Sequence, residues 1–177
     1  MHLVLRLPRN ADVLPPAREL AEAAGRGVSD AVKRHLVAKD AATPPRAGMP
    51  KTGYYGDAAG SVTTEMKGEV ALVSVTKEGM ALHYYGGVVY PTEGHKALAI
   101  PQVAAVAGRR PAEADPSRTK FALVWPKGAA TGTLRDRETG EVAYLLVAKA
   151  AVPKDETVLP EEGEMYGAAM SAMEAIL

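Results

Sequence analysis

Apolar and polar positions alternate most regularly between Glu69 and Pro101. Val70, Leu72, Ser74 and Thr76 fall on one side of a two-residue repeat and Ala71, Val73 and Val75 on the other. That pattern predicts a strand whose odd-numbered face is the more continuously buried. Lys77-Glu78-Gly79 supplies a polar turn, and Met80 to Tyr85 is too short to classify by period. Gly86-Gly87 then predicts a sharp reversal, because glycine reaches backbone angles closed to other residues. Val88-Val89-Tyr90 reads as a new extended piece that Pro91 ends, since proline has no N–H for a ladder. After a polar turn, Ala97 to Pro101 returns as a small apolar strand.

Upstream, His2 to Leu7 alternates like a short strand stopped by Pro8. From Pro15 to Lys39 the period changes: Leu20, Ala24, Val28, Ala31, Val32 and Leu36 recur at three and four residues, which predicts a helix with one apolar stripe. Gly25 and Gly27 each cost this helix about 1 kcal/mol against alanine, so it either needs the sheet to hold it or lets another backbone approach closely. Asp40 to Thr52 carries Pro44, Pro45, Gly48 and Pro50 and reads as an irregular loop, extended to about residue 60 with Tyr54 and Tyr55 in it. Ser61 to Lys67 predicts a strand. Past Pro101, Gln102 to Ala107 suits one helical turn, and Gly108 to Lys120 a polar, flexible loop. Phe121 to Trp125 predicts a strand, and Thr131 to Arg135 with Glu141 to Val152 a hairpin around Asp136 to Gly140. Residues 161–177 predict a closing helix, with Met165, Ala169, Met173 and Ile176 at helical spacing and acidic residues in its first turn. These elements make an α+β chain: an antiparallel sheet packed by a long N-terminal helix, with long loops and a C-terminal helix.

Composition narrows the class without naming a role. A chain of 177 residues is one domain by length and buries about two thirds of its unfolded surface. Cysteine is absent, which removes disulfides and thiolate metal sites. With 21 basic and 21 acidic residues, no global charge draws the chain onto nucleic acid or anionic lipid. No apolar run approaches the roughly 20 residues that span a bilayer, and Met1 to Leu7 lacks the long apolar core of a signal peptide, so the chain is expected to stay in the cytoplasm of its host.

The run ALHYYGGVVYP followed by KALAIP resembles the phage virion morphogenesis, or tail completion, family, in which an aromatic-Gly-Gly turn precedes an extended segment and a small apolar strand ending in proline. The likeness extends from Tyr54 to Pro160, with Gly60-Ser61-Val62 and Val70 to Thr76 at the first strands and Tyr144 to Val152-Pro153 at the closing one. The insert Gly108 to Lys120 and the acidic segment after Pro160 depart from it. The resemblance implies a structural virion protein, a tail completion or terminator subunit. It would form a homo-oligomeric ring at the head–tail neck, with six subunits the first count to test, against connector and tail tube proteins.

The residues offer little chemistry beside this. His2, His35, His83 and His95 lack the paired spacing of metal ligands, and no nucleophile, base and orienting group stand at diagnostic offsets. No catalytic residue, metal site or cofactor is therefore assigned. The alternative is a small enzyme or ligand-binding module built around His83 and Tyr84, with the histidine as base. Tyr54, Tyr55, Tyr84, Tyr85 and Tyr90 divide between core packing and an oligomer interface, where tyrosine gives large area at low entropy cost. Gly86 and Gly87 are the structural turn. Arg109, Arg110 and Arg118 are a solvated loop or a contact for DNA passing through a ring lumen.

Overall fold

The computed structural model describes residues 15–92 and 94–177, and the backbone of Leu3–Val4. In chain order the elements are β1 (Leu3–Val4), α1 (Ala17–Ala42), α2 (Tyr54–Gly60), β2 (Val62–Lys67), β3 (Val70–Val75), α3 (Met80–Tyr85), β4 (Gly87–Val89), β5 (Leu98–Pro101), α4 (Pro111–Ala114), β6 (Phe121–Val124), β7 (Thr131–Asp136), β8 (Val142–Val147), β9 (Ala150–Val152) and α5 (Glu162–Glu174). Every strand pair is antiparallel, and the strands are divided among three sheets, ordered β1-β3-β2, β4-β9 and β5-β8-β7-β6. The α+β class, the long N-terminal helix and the C-terminal helix stand as expected from the residue pattern. Of the strand expected over residues 2–7, only Leu3–Val4 falls among the described residues.

Contacts group the described residues into two compact units: those within 1–43, 53–86 and 153–177 form the first, and those within 44–52 and 87–152 the second. In the first, α1 lies on the β1-β3-β2 sheet and against α5. Ala24, Val28, Val32 and Leu36 of its stripe meet Val62 and Val73 of the sheet and Met165, Ala169 and Met173 of α5 in one buried cluster. Ala71 and Val73, on the odd-numbered face of β3, are buried as that alternation requires. Gly25 and Gly27 resolve into close approaches. A Cβ on Gly25 would lie 2.6 Å from the Ala71 Cβ, and one on Gly27 2.3 Å from the Ala168 carbonyl oxygen.

Residues 54–60 correct the expected loop. Tyr54, Tyr55, Ala58 and Ala59 form the helix α2, with Ala58 and Ala59 buried in the first unit's core. Seven residues are too few to show a helical period, and α2 is stabilised by burial rather than propensity. The preceding excursion is also shorter than expected, because α1 runs on to Ala42. Gly86 caps α3 at φ 71°, ψ 175°, and β4 starts at the next residue, so Gly86 stands between a helix and a strand.

The second unit is built on the four-stranded sheet. Tyr144, fully buried, packs edge-to-face on Phe121 at 5.7 Å and donates its hydroxyl to the Arg109 carbonyl oxygen. Asp115 organises the segment expected to be flexible. It is only 6% exposed, and its carboxylate accepts from the Ser117 hydroxyl and from the backbone N–H groups of Thr119, Lys120 and Phe121. Between Gly108 and Asp115 the chain turns through α4, where Glu113 accepts from the Arg110 N–H.

Candidate functional site

Two places in the fold bear on function: the ring cluster around His83 and the open edge of the four-stranded sheet. His83 sits on α3 with its ring 4.8 Å from Tyr54 and 6.0 Å from Tyr55, both on α2. The Tyr54 hydroxyl donates to the Glu78 carbonyl oxygen, and the Lys77 and Lys39 ammonium groups lie over the Tyr54 and Tyr55 rings. Burial, and then the charges of Glu78 for Tyr54 and of Asp155 for Tyr55, hold both phenols above their ordinary range, so both stay neutral hydrogen-bond donors. Beside them Lys39 bonds the Asp155 carboxylate at 2.9 Å and the Thr157 hydroxyl at 2.7 Å, while His35 bonds the Thr157 carbonyl oxygen. The His83 carbonyl oxygen accepts from the Asp155 N–H.

This cluster ties α1, α2, α3 and the segment 155–157 together. Among the described residues the contacts shown for the His83 ring are those with the Tyr54 and Tyr55 rings. No group of three or more His, Cys, Asp or Glu side chains among them is placed to hold a metal ion. An open groove between α1 and α5, about 440 Å³, is lined by Asp30, Arg34, Glu164 and Ser171 and contains no histidine. The His83 ring packs against the Tyr54 and Tyr55 rings, and the cation–π contacts beside it are those of Lys77 with Tyr54 and Lys39 with Tyr55.

The tyrosines separate by position. Tyr54, Tyr55 and Tyr84 pack half-buried against the first unit's core, whereas Tyr85 and Tyr90 are 61% and 63% exposed. Arg109, Arg110 and Arg118 all reach solvent. Arg110 lies 3.9 Å from Glu113, and Arg118 holds a left-handed φ of 58°.

The second place is β6, the last strand of the order β5-β8-β7-β6. Leu123, Val124 and Trp125 follow one another there at 64%, 40% and 42% exposure. Trp125 is held in place by its indole N–H donating to the Ala129 carbonyl oxygen and by its ring lying over Gly132, where a Cβ would come within 2.2 Å. Hydrogen-bonding direction follows from the register. The Arg137 N–H donates to the Lys120 carbonyl oxygen, and Phe121 stands opposite Asp136. Alternation along an antiparallel pair therefore turns the backbone groups of Ala122 and Val124 toward β7 and those of Phe121 and Leu123 outward. Asp115 already takes the outward Phe121 N–H. Among the described residues the Leu123 N–H and C=O have no partner strand.

The opposite edge is guarded. The Gln102 N–H donates to the Ala143 carbonyl oxygen, so on β5 the outward residues are Ala99 and Pro101. Pro101 has no N–H, and its carbonyl oxygen accepts from Arg46. An edge blunted by proline and a capping cation resists pairing, whereas an uncovered apolar edge invites it. Strand order is a tertiary fact; the run Leu123-Val124-Trp125 reads in sequence as part of a strand, with no sign of which edge it forms. No helix among the described residues is long and apolar enough to cross a membrane. Neither a protein-family model, nor a curated protein, nor a solved structure matches this chain.

Proposed function

We propose that this protein is a structural subunit of a phage particle, a tail completion or terminator protein that assembles with copies of itself into a ring at the head–tail neck. The carrying observation is the β6 edge, where three consecutive large apolar residues and an outward peptide group stand uncovered. Uncovered apolar edges on isolated chains mark sites of strand addition by a protein partner. The likeness of residues 81–101 to the tail completion family supplies the kind of assembly, and a neutral net charge suits a subunit whose first partner is protein. Rings follow when heterologous contacts close on themselves. In such a ring the exposed Arg109, Arg110 and Arg118 supply local positive charge for a DNA-facing lumen, and connector and tail tube proteins meet its two faces.

Mass measurement of the purified protein across concentration, followed by electron microscopy of the particle neck, tests this. A closed oligomer, six copies being the first count to look for, that occupies the neck is the expected result. A chain that stays monomeric and is absent from the particle overturns the reading.

A further inference from the structure

We propose that one end of the four-stranded sheet receives α5 of a second copy of this chain, in a head-to-tail contact drawn by opposite charge. The proposal rests on the ring reading above and names the two surfaces that meet within it.

The net charge of zero is divided unequally between the units. Over the described residues the first unit carries 8 Lys or Arg against 14 Asp or Glu and the second 11 against 5, formal charges of −6 and +6. A contact between two first units, or between two second units, sets like charge against like. Only first against second joins opposite charges, and that contact is heterologous, the kind that closes into a ring.

Strand register locates the positive surface. Leu98, which opens β5, pairs with Val147, the last residue of β8, and Val147 pairs with Thr131, the first of β7. Lys96 before β5, Lys149 after β8 and Lys127 in the β6–β7 connection therefore share one end of the sheet. All three are exposed beside the exposed Trp125, and none forms an ion pair among the described residues. The described acids of this unit lie toward the other end. Asp136 ends β7 opposite Phe121, Glu138 and Glu141 follow in the β7–β8 connection, and Asp115, with Glu113 two residues before it, holds the Phe121 N–H.

On the first unit one acidic stretch lacks cations: residues 155–177 contain no Lys, Arg or His. Within it Glu164 lines the groove that holds Arg34, whereas Glu161, Glu162 and Glu174 stand outside that groove, exposed and without an ion pair among the described residues. Elsewhere in the unit acids and cations are interleaved. Glu22 pairs with Arg18, Glu65 with Lys67, Asp57 with Lys77 and Asp155 with Lys39, and Asp30 shares the groove with Arg34. Dimensions agree as well. Glu162 and Glu174 stand about 18 Å apart along α5, and the end of a four-stranded sheet is about 14 Å wide, with Lys96 and Lys127 toward its two edges. DNA would find the same lysines, but it would also meet the −6 unit of every copy, with no net charge to draw it in.

Charge reversal on each surface tests the contact. Lys127→Glu/Lys149→Glu and Glu162→Lys/Glu174→Lys change exposed side chains, and in the second the helix-dipole loss at Glu162 is offset by the gain at Glu174, so both proteins should melt close to the parent. In sedimentation at low salt, each variant alone should need a concentration about tenfold or more higher to assemble. An equimolar mixture of the two, and a chain carrying all four changes, should assemble as the parent does, because each restores opposite signs across every contact. Parental assembly should weaken as salt rises from roughly 0.05 to 0.5 M. Assembly that ignores the lysine reversal, or that neither the mixture nor the four-change chain restores, would overturn this contact and leave the ring reading standing. A DNA duplex that binds the parent and not the lysine variant, with assembly of the two equal, would assign the lysines to nucleic acid and overturn it too. Parental monomers at every concentration tested would overturn both.

Discussion

Gly27 is the position where two well-understood effects of one methyl group oppose each other, and the structure decides the sign. In Gly27→Ala, helix propensity alone favours the variant by about 1 kcal/mol, because alanine loses less backbone entropy in a helix interior than glycine does. Against this, the added Cβ would stand 2.3 Å from the Ala168 carbonyl oxygen, 2.8 Å from the Ala172 Cβ and 3.0 Å from the Ala168 carbonyl carbon, all on α5. Two of those atoms are helix backbone and cannot swing aside. Restoring ordinary contact at about 3.4 Å requires α1 and α5 to separate locally by about 1 Å. A gap of that size forfeits roughly a quarter to a half of the dispersion energy of the atoms it parts, and overpacking of this kind costs about 1–3 kcal/mol. The clash wins, with a net loss of roughly 1–2 kcal/mol and a melting temperature lower by about 2–8 °C for a chain of this length. Gly167→Ala is the control within the partner helix. Nothing lies within 4 Å of its Cβ, so only the propensity gain acts and the variant should melt up to about 4 °C above the parent. Differential scanning calorimetry of the three proteins settles the matter. If Gly27→Ala melts at or above the parent while Gly167→Ala rises as expected, α1 and α5 are not in backbone contact and the packing described for the first unit is wrong.

Gly86→Ala should lose about 2 kcal/mol or more in urea titration, since φ 71° with ψ 175° is a region nearly closed to side chains and the new Cβ would stand 2.8 Å from the Lys154 nitrogen; parental stability would refute the turn. Acid stability should depend on Asp115. Burial raises the pKa of this carboxyl, but bonds from the Phe121 N–H, the Ser117 hydroxyl and the Thr119 and Lys120 N–H groups outweigh burial and leave it below its ordinary 3.8. A depressed folded pKa contributes stability that is complete above the unfolded value and is lost as pH falls through the folded one. Melting temperature should thus decline as pH drops below about 4, more shallowly in Asp115→Asn, whereas an identical slope in both proteins would exclude Asp115 as a source of the decline.

Periodicity in the sequence was enough for the long elements. The stripe from Leu20 to Leu36 and the alternation from Val70 to Val75 repeat over enough residues to fix element type and buried face, because each position reports the same geometry. The glycine pair at Gly86-Gly87 was legible for a different reason: a residue without Cβ marks a backbone conformation that needs none. Shorter elements left no such mark. In α2 and α3, Tyr54-Tyr55 and His83-Tyr84 are too close in sequence to reveal a period, and their helices form where the ring cluster and the core bury them. Asp115 looked like one more polar residue in a charged loop until folding brought the N–H groups of Thr119, Lys120 and Phe121 onto its carboxylate. The candidate site lay furthest from the sequence. The open edge at Leu123 and the guarded edge at Pro101 arise from strand order and hydrogen-bonding direction, which depend on which distant segments pair. A strand's own residues state its propensity to extend; only its neighbours decide whether its outer peptide groups are satisfied, capped or left for another chain.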